Sequence, residues 1–407
     1  MENRLKSLTA GLPPIYWLLW SGTLVNRLGG FVIPFLTLYL TSQREIPASQ
    51  AALMVSFYGG GSFIAQLTGG ELTDRLGRRP VMLVSFFVTP AAMLTLGLVR
   101  NTFLIGIATF VVGFFTDLYR PAVSAAIADL VPSEARTRAY GYNYWAINLG
   151  AAIAPVVAGL LASYNYLALF IGDALTTFIF GLIVLFGIHE TRPVEAGGGA
   201  GVSARLRLQQ IGREPILLLF SLLAFFIGVI YMQGHVTLPL DMGSHGLGPD
   251  KYGLAIAVNG FLIVLVSIPI SNMAGKWKRF ESMAVSAIFL GLGFGFTLFA
   301  NVFSLFALSV AIWTIGEIIA SAVAPAIIAD LAPIELRGLY QGIFGSAWGL
   351  SLFAGPLLGG KVYESLGPQF LWTCCLILGL LVALGFWAMR IPARRRLDKN
   401  TVQLGSS

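Results

Sequence analysis

The sequence predicts an all-α polytopic membrane protein, with twelve transmembrane helices arranged as two pseudo-symmetric halves of six. Three observations carry that prediction. The 407 residues are 56% apolar and only 11% charged, whereas a soluble domain holds about 25% charged residues. The charges are clumped, leaving repeated apolar stretches long enough to cross a bilayer, a pattern that alternating β-barrel strands do not produce. Finally, residues 127–136 (IADLVPSEAR) return as 328–337 (IADLAPIELR), an offset of 201 that pairs Gly141 with Gly342, Pro155 with Pro356 and Gly159 with Gly360. Such in-register self-similarity marks a duplicated unit. This composition excludes a soluble enzyme, a secreted disulfide scaffold and a disordered chain.

Reading along the chain, Arg4 and Lys6 precede an apolar run from 13 to 40. It is too long for a signal-peptide core and no small-residue cleavage site follows, so it is an uncleaved first span, 14–40. The second span, 49–73, runs from beyond Arg44 to the Arg75–Arg79 cluster, and the third, 80–99, ends at Arg100. Spans four to six follow at 102–131, 138–163 and 166–188, separated by the Glu134–Arg138 cluster and a short break. A polar, Gly-rich stretch, His189 to Arg213, then interrupts the pattern. Spans seven to twelve are expected at 214–240, 250–275, 281–300, 302–331, 338–364 and 368–390. The predicted units are thus a bundle over 1–188, a linker over 189–213, a second bundle over 214–390 and a basic tail over 391–407.

Basic residues orient the spans. Twenty of the 26 Lys and Arg fall on the side of the N-terminus, four (Arg44, Arg100, Lys251, Lys361) on the other, and Arg27 and Arg120 within spans. Both termini are therefore expected in the cytoplasm, and the net charge of +7 reflects topology rather than nucleic-acid binding. Cys374 and Cys375 are adjacent in an apolar run without metal-ligand spacing, so they are packing residues and no metal is expected. Trp17, Trp20 and Trp372 near span ends suit interfacial belts.

After the second span comes Gly70-Glu71-Leu72-Thr73-Asp74-Arg75-Leu76-Gly77-Arg78-Arg79-Pro80. It resembles the loop 2–3 signature of the major facilitator superfamily and lies on the predicted cytoplasmic side, where that family places it. The fifth span carries Gly150-x-x-x-Ala154-Pro155-x-x-Ala158-Gly159, similar to the motif of the family's drug:proton antiporters, and span eleven echoes it with Gly355-Pro356-Leu357-Leu358-Gly359-Gly360. Two positions depart from the antiporter pattern. Ala154 stands where Gly is usual, and Thr109 rather than Arg precedes Gly113 by four residues.

The resemblance implies the family's fold and a midplane cavity lined by spans one, four, seven and ten. It also implies a gate at the cytoplasmic helix ends. Asp74 would face the N-terminus of span eleven, while Arg78 would reach Asp129 and latch the outward-facing state. Arg75 and Arg79 join this charge cluster, and Glu134, Arg136, Glu335 and Arg337 would brace the remaining turns. The second-half copy, Gly275-Lys276-Trp277-Lys278-Arg279, keeps the charge but has no Asp, so any latch is expected to be asymmetric.

A charge at a helix centre costs about 2.5–3.5 kcal/mol on insertion scales and is a functional hypothesis by default. Arg27, Asp117, Arg120, His235 and Glu317 fall on spans one, four, seven and ten, and Asp173 lies in span six. Under the 201 offset Asp117 falls one residue from Glu317, so both halves place a carboxylate at similar depth. Asp117 is either a proton carrier or an ion-pair partner of Arg120 or Arg27. Glu317, with no cation in its own span, is the leading proton carrier, followed by Asp117, Asp173 and His235. Candidate substrate contacts are Asn26, Arg27, Gln66, Arg120, Tyr144, Trp145, Asn148, Tyr231, Gln233, Asn259, Trp313 and Trp348, an aromatic and polar set suited to amphipathic ligands.

The expected function is proton-coupled secondary transport in a bacterial-type inner membrane, by a monomer that needs the proton gradient and no cofactor. Efflux of drug-like compounds by antiport is the leading expectation. Proton-coupled uptake of an organic anion or peptide, or lipid translocation, are the alternatives. No ATP-binding loop, Ser-His-Asp set, HExxH or Cys cluster supports an enzyme.

Overall fold

The computed structural model describes residues 12–192, 214–331 and 337–404, without the side chains at 74, 133–134, 136–138, 141, 268, 271–276, 329, 337–339, 341 and 393–404. The motif side chains of Asp74, Glu134, Arg136, Glu335 and Arg337 therefore lie outside the described residues. So does most of the predicted linker, 193–213.

Every span is helical. The first span is α1 (Pro14–Leu28) plus α2 (Val32–Ser42). Spans two to six are α3 (Ala48–Leu76), α4 (Arg78–Leu98), α5 (Thr102–Leu130), α6 (Ser133–Tyr164) and α7 (Leu167–Gly187). The seventh is α8 (Pro215–Val236) plus α9 (Leu238–Ser244), and α10 (Pro249–Lys276), α11 (Arg279–Phe296), α12 (Phe303–Leu331), α13 (Arg337–Leu366) and α14 (Pro368–Leu404) complete the set. There is no strand among the described residues. Among the described residues, eleven segments are by themselves long and apolar enough to cross a membrane. The twelfth, α3, is diluted by Gly59, Gly60, Gly61, Gln66, Gly69 and Gly70 and by its charged end. This same helix packs closely on two others, and small residues permit that approach.

Two spans expected to be continuous are broken, for identifiable reasons. Between α1 and α2 the chain leaves the helix at Gly29, and the Asp173 carboxylate accepts the backbone N–H groups of Phe31 and Val32, both at 3.1 Å. Asp173 thus serves amides at the start of α2 that have no intrahelical partner. Between α8 and α9 the break falls at Thr237, two residues before Pro239. By contrast, α14 runs past residue 390 into the basic segment expected to be a tail.

Two helix pairs form the principal joints between the first six spans and the last six: α3 with α13, and α6 with α10. Each joint is tight at the end away from the Arg75–Arg79 cluster. A Cβ on Gly159 would meet the Pro249 carbonyl oxygen at 2.8 Å and the Asp250 Cα at 3.1 Å, and one on Gly360 would collide with the Ala52 side chain. The Ser49 N–H donates to the Glu364 carboxylate across the α3–α13 pair at 2.5 Å. At the basic end the picture reverses. Cβ atoms on Gly70, Gly342 and Gly345 would have nothing within 4 Å. In the α3–α13 pair the helix ends that bear the basic motif stand apart while the opposite ends are closed.

The basic end is bound internally instead. Gly77, at φ 104°, joins α3 directly to α4 in a conformation that favours glycine. Arg78 then pairs with Asp129 on α5 at 3.0 Å, as the motif implied. Both belong to the first half, however, and the pair is present while the basic ends are apart. It braces one half and is not specific to an outward-facing latch. Its twin also exists, since Arg279 pairs with Asp330, each 201 residues after Arg78 and Asp129. The expected asymmetry therefore does not extend to this ion pair.

Glu190, at the start of the predicted linker, caps α4 by accepting the N–H groups of Arg78 (3.0 Å) and Arg79 (3.1 Å). Arg192 donates to the Arg75 carbonyl at 2.9 Å. Burial alone would raise the Glu190 carboxyl. The backbone N–H groups of Arg192, Arg78, Arg79 and Thr191 outweigh it and hold the group below its ordinary 4.5.

Candidate functional site

A cavity of about 310 Å³ lies between the halves, drawing wall residues from each of α1 to α8 and from α10, and none from α12 (span ten), which the resemblance had implied as a lining helix. Of the predicted contact residues, Asn26, Arg27, Arg120, Tyr231 and Asn259 line it, as do Asp173 and His235. Gln66, Tyr144, Trp145, Asn148, Gln233, Trp313 and Trp348 are not on this wall, and their partners show why. Gln233 is 2% exposed. Its amide nitrogen donates to the carbonyls of Val229 and Gly355 while its oxygen accepts from Thr237, so it clasps α8 to α13. Asn148 donates to the Tyr144 carbonyl of its own helix. Gln66 donates to Ser62. Trp145 stacks on Trp20, with centroids 6.2 Å apart, where α6 passes α1.

The first-half wall carries two arginines in different circumstances. Arg120 Nε lies 2.8 Å from Asp117 Oδ1. Asp117 is 2% exposed and also accepts from the Ser62 hydroxyl. It therefore stands as the ion-pair partner of Arg120, one layer behind the cavity. Arg27 makes no ion pair within 4 Å among the described residues. Its Nη2 donates to the Tyr119 hydroxyl at 3.2 Å, Tyr119 donates to Asn26 at 3.1 Å, and Asn26 donates to Thr177 at 2.8 Å. The Arg27 Nε is buried without a hydrogen-bond partner. Gly150 admits α6 against the backbone of Arg27, because a Cβ there would collide with it.

The second-half wall is aromatic with one acid behind it. Glu317 accepts from the Tyr231 hydroxyl at 3.2 Å and the Asn259 amide at 2.5 Å, and no cation lies within 4 Å among the described residues. Asn259 also donates to Thr314 at 3.1 Å. Tyr231 packs against Trp313, Trp348 and His235 at centroid distances of 5.4, 5.5 and 5.7 Å. Trp313 is 1% exposed and stacked on Phe294, so it backs Tyr231. The His235 Nδ1 is buried without a partner.

Sequence patterns had not singled out Ser62 or Tyr119, whose hydroxyls acquire meaning only through neighbours on other helices. Asp241 falls just beyond the expected end of span seven. It is 2% exposed and accepts from the Trp372 indole at 2.8 Å. Trp372, 1% exposed, is consequently a core residue and not part of an interfacial belt.

Twelve helical spans closing around an inter-half cavity, with ionisable groups at mid-depth, define a membrane carrier. The Major Facilitator Superfamily profile matches residues 19–248 and 236–406, and the chain belongs to that superfamily, whose members are secondary carriers rather than enzymes. Among its relatives, a Na(+), Li(+), K(+)/H(+) antiporter of Planococcus maritimus is 23% identical over 426 residues, covering 94% of this chain and 98% of the relative. Quinolone resistance protein NorA of Staphylococcus aureus (strain Mu50 / ATCC 700699) is 26% identical over 133 residues, 33% of this chain and 34% of that one. The fold matches the crystal structure of the nucleoside transporter NupG with a TM-score of 0.80 at 14% identity, covering 92% of this chain and 99% of that one.

Proposed function

We propose that this carrier exports amphipathic cationic compounds in exchange for protons, working by alternating access as a monomer. Its basic end faces the cytoplasm of a bacterial-type inner membrane, and the proton gradient drives it without a cofactor. The observation that carries the proposal is Glu317. A carboxylate held by a phenol and an amide, with no cation nearby, has a charge that only a proton or a cationic ligand can compensate. Proton and substrate then compete for one site, which is the minimal requirement for antiport. The aromatic wall at Tyr231 suits the apolar body of such a ligand. Asp117, paired with Arg120, is the secondary proton candidate. The full-length likeness to a cation/proton antiporter and the partial likeness to a drug-resistance protein support exchange and export respectively.

Arg27 favours a second possibility, proton-coupled uptake of an organic anion, because it is a cavity cation with no ion pair within 4 Å among the described residues. Both are tested in proteoliposomes with an imposed pH gradient and an internal pH dye. Under antiport, lipophilic cations collapse the gradient and Glu317→Gln abolishes the effect. If only carboxylates move protons, and in their own direction, the export proposal fails.

A further inference from the structure

The two cavity walls carry opposite charges, Arg27 and Glu317, neither of them in an ion pair within 4 Å among the described residues, and that has a consequence for the kind of molecule they accept. On one side stands Glu317, reached through Tyr231 and Asn259, both wall residues. On the other stands Arg27, itself on the wall. We infer that the substrates of this carrier are amphoteric, with a carboxylate or similar anionic group seated on the Arg27 guanidinium and a cationic group directed to the Glu317 side. This rests on the exchange function proposed above and narrows its substrate class.

Arg27 is oriented by hydrogen bonds and lies in no ion pair within 4 Å among the described residues. The chain Arg27–Tyr119–Asn26–Thr177 fixes the guanidinium through one nitrogen, Nη2. The donors of that chain are used in sequence, so the Tyr119 oxygen receives the Arg27 proton and cannot compensate its charge. Nε stays buried and unpartnered, and a buried charged donor left unmade is costly. A carboxylate is the acceptor whose geometry matches a guanidinium edge, with two oxygens against two N–H groups.

The other charges nearby are engaged elsewhere. Asp173, also on the wall and near enough for the Arg27 charge to act on it, is held by the amides of Phe31 and Val32 and makes no ion pair with Arg27 within 4 Å, and Asp117 is taken by Arg120 and Ser62. Arg120 differs from Arg27 in this respect, since its charge is already matched at 2.8 Å. The cavity, at about 310 Å³, falls at the small end of the range for drug-sized ligands, so one molecule can reach both walls.

The test uses rhodamine B, which carries a free carboxylate beside its cationic xanthylium, and the methyl ester of the same dye, which keeps only the cation. Dye-driven proton exchange is measured in proteoliposomes holding the wild type, Arg27→Gln or Arg27→Lys, with protein-free vesicles subtracted. In the wild type the ester's KM is expected to exceed that of the acid by about tenfold or more, the size of a charge-assisted pair. That ratio collapses toward one in Arg27→Gln and is partly retained in Arg27→Lys. A wild-type ratio near one overturns the inference even if neither variant folds, as does a ratio unchanged by Arg27→Gln. If neither dye moves protons with the wild type, the exchange function itself has failed. If both dyes do so with equal KM, exchange stands and only the amphoteric substrate class is lost.

Discussion

Gly159→Ala isolates the conformational part of the mechanism. The new methyl would lie 2.8 Å from the Pro249 carbonyl oxygen and 3.1 Å from the Asp250 Cα. Both are backbone atoms of the opposite half and cannot rotate away. Overpacking of this kind costs about 1–3 kcal/mol. The contact exists only where the end opposite the basic motif is closed, so the whole cost falls on that state. At 1.36 kcal/mol per tenfold, the equilibrium should move about 5- to 150-fold toward the state open at that end. Spin labels at Tyr164 and Leu366, which are 91% and 58% exposed, report one end by pulsed distance measurements. Labels at Leu76 and Trp277, 61% and 44% exposed, report the other. Cys374 and Cys375 are first replaced by alanine. The first distance should lengthen and the second shorten on Gly159→Ala. Gly345→Ala, where a Cβ meets nothing within 4 Å, should leave both unchanged. Unchanged distances in Gly159→Ala, or equal shifts in the two variants, would refute the argument that this seam is specific to one state.

Asp173 separates a helix cap from a proton carrier. Asp173→Asn keeps an acceptor for the Phe31 and Val32 amides, so folding and proton exchange should both survive. Asp173→Ala strands the Val32 donor, while Phe31 keeps the Gly29 carbonyl at 2.8 Å, and should destabilise by about 1–3 kcal/mol, read as loss of thermal stability in detergent. Loss of exchange in a well-folded Asp173→Asn would instead make this residue a proton carrier. Glu190 has a pH signature of known sign. Its folded pKa is depressed, so its cap is fully formed above the ordinary 4.5 and is lost as pH falls through the folded value. The Tm difference between wild type and Glu190→Gln should be constant above that pH and shrink below it. It should correspond to less than about 1 kcal/mol because the site is exposed.

The span count, the duplication and the family were legible in the sequence because each depends on locally additive quantities. An apolar run partitions into lipid whatever its neighbours are, and a repeat is visible by direct comparison. That Glu317 has no cation in its own span could also be read locally. Partners could not. Gln233 and Asn259 are both amides within apolar helices, yet one ties α8 to α13 and the other holds Glu317. Asp117 and Asp173 are both mid-span acids, yet one meets an arginine three residues along its own helix and the other caps the break in a helix 141 residues earlier. Trp372 sits near a span end and is nevertheless buried on Asp241. Hydropathy sets the depth of a residue in the bilayer, but the rotation of each helix against its neighbours sets what that residue faces. Such rotation depends on close contacts, like Gly150 against Arg27 and Gly159 against Pro249, that form only when all the helices are assembled.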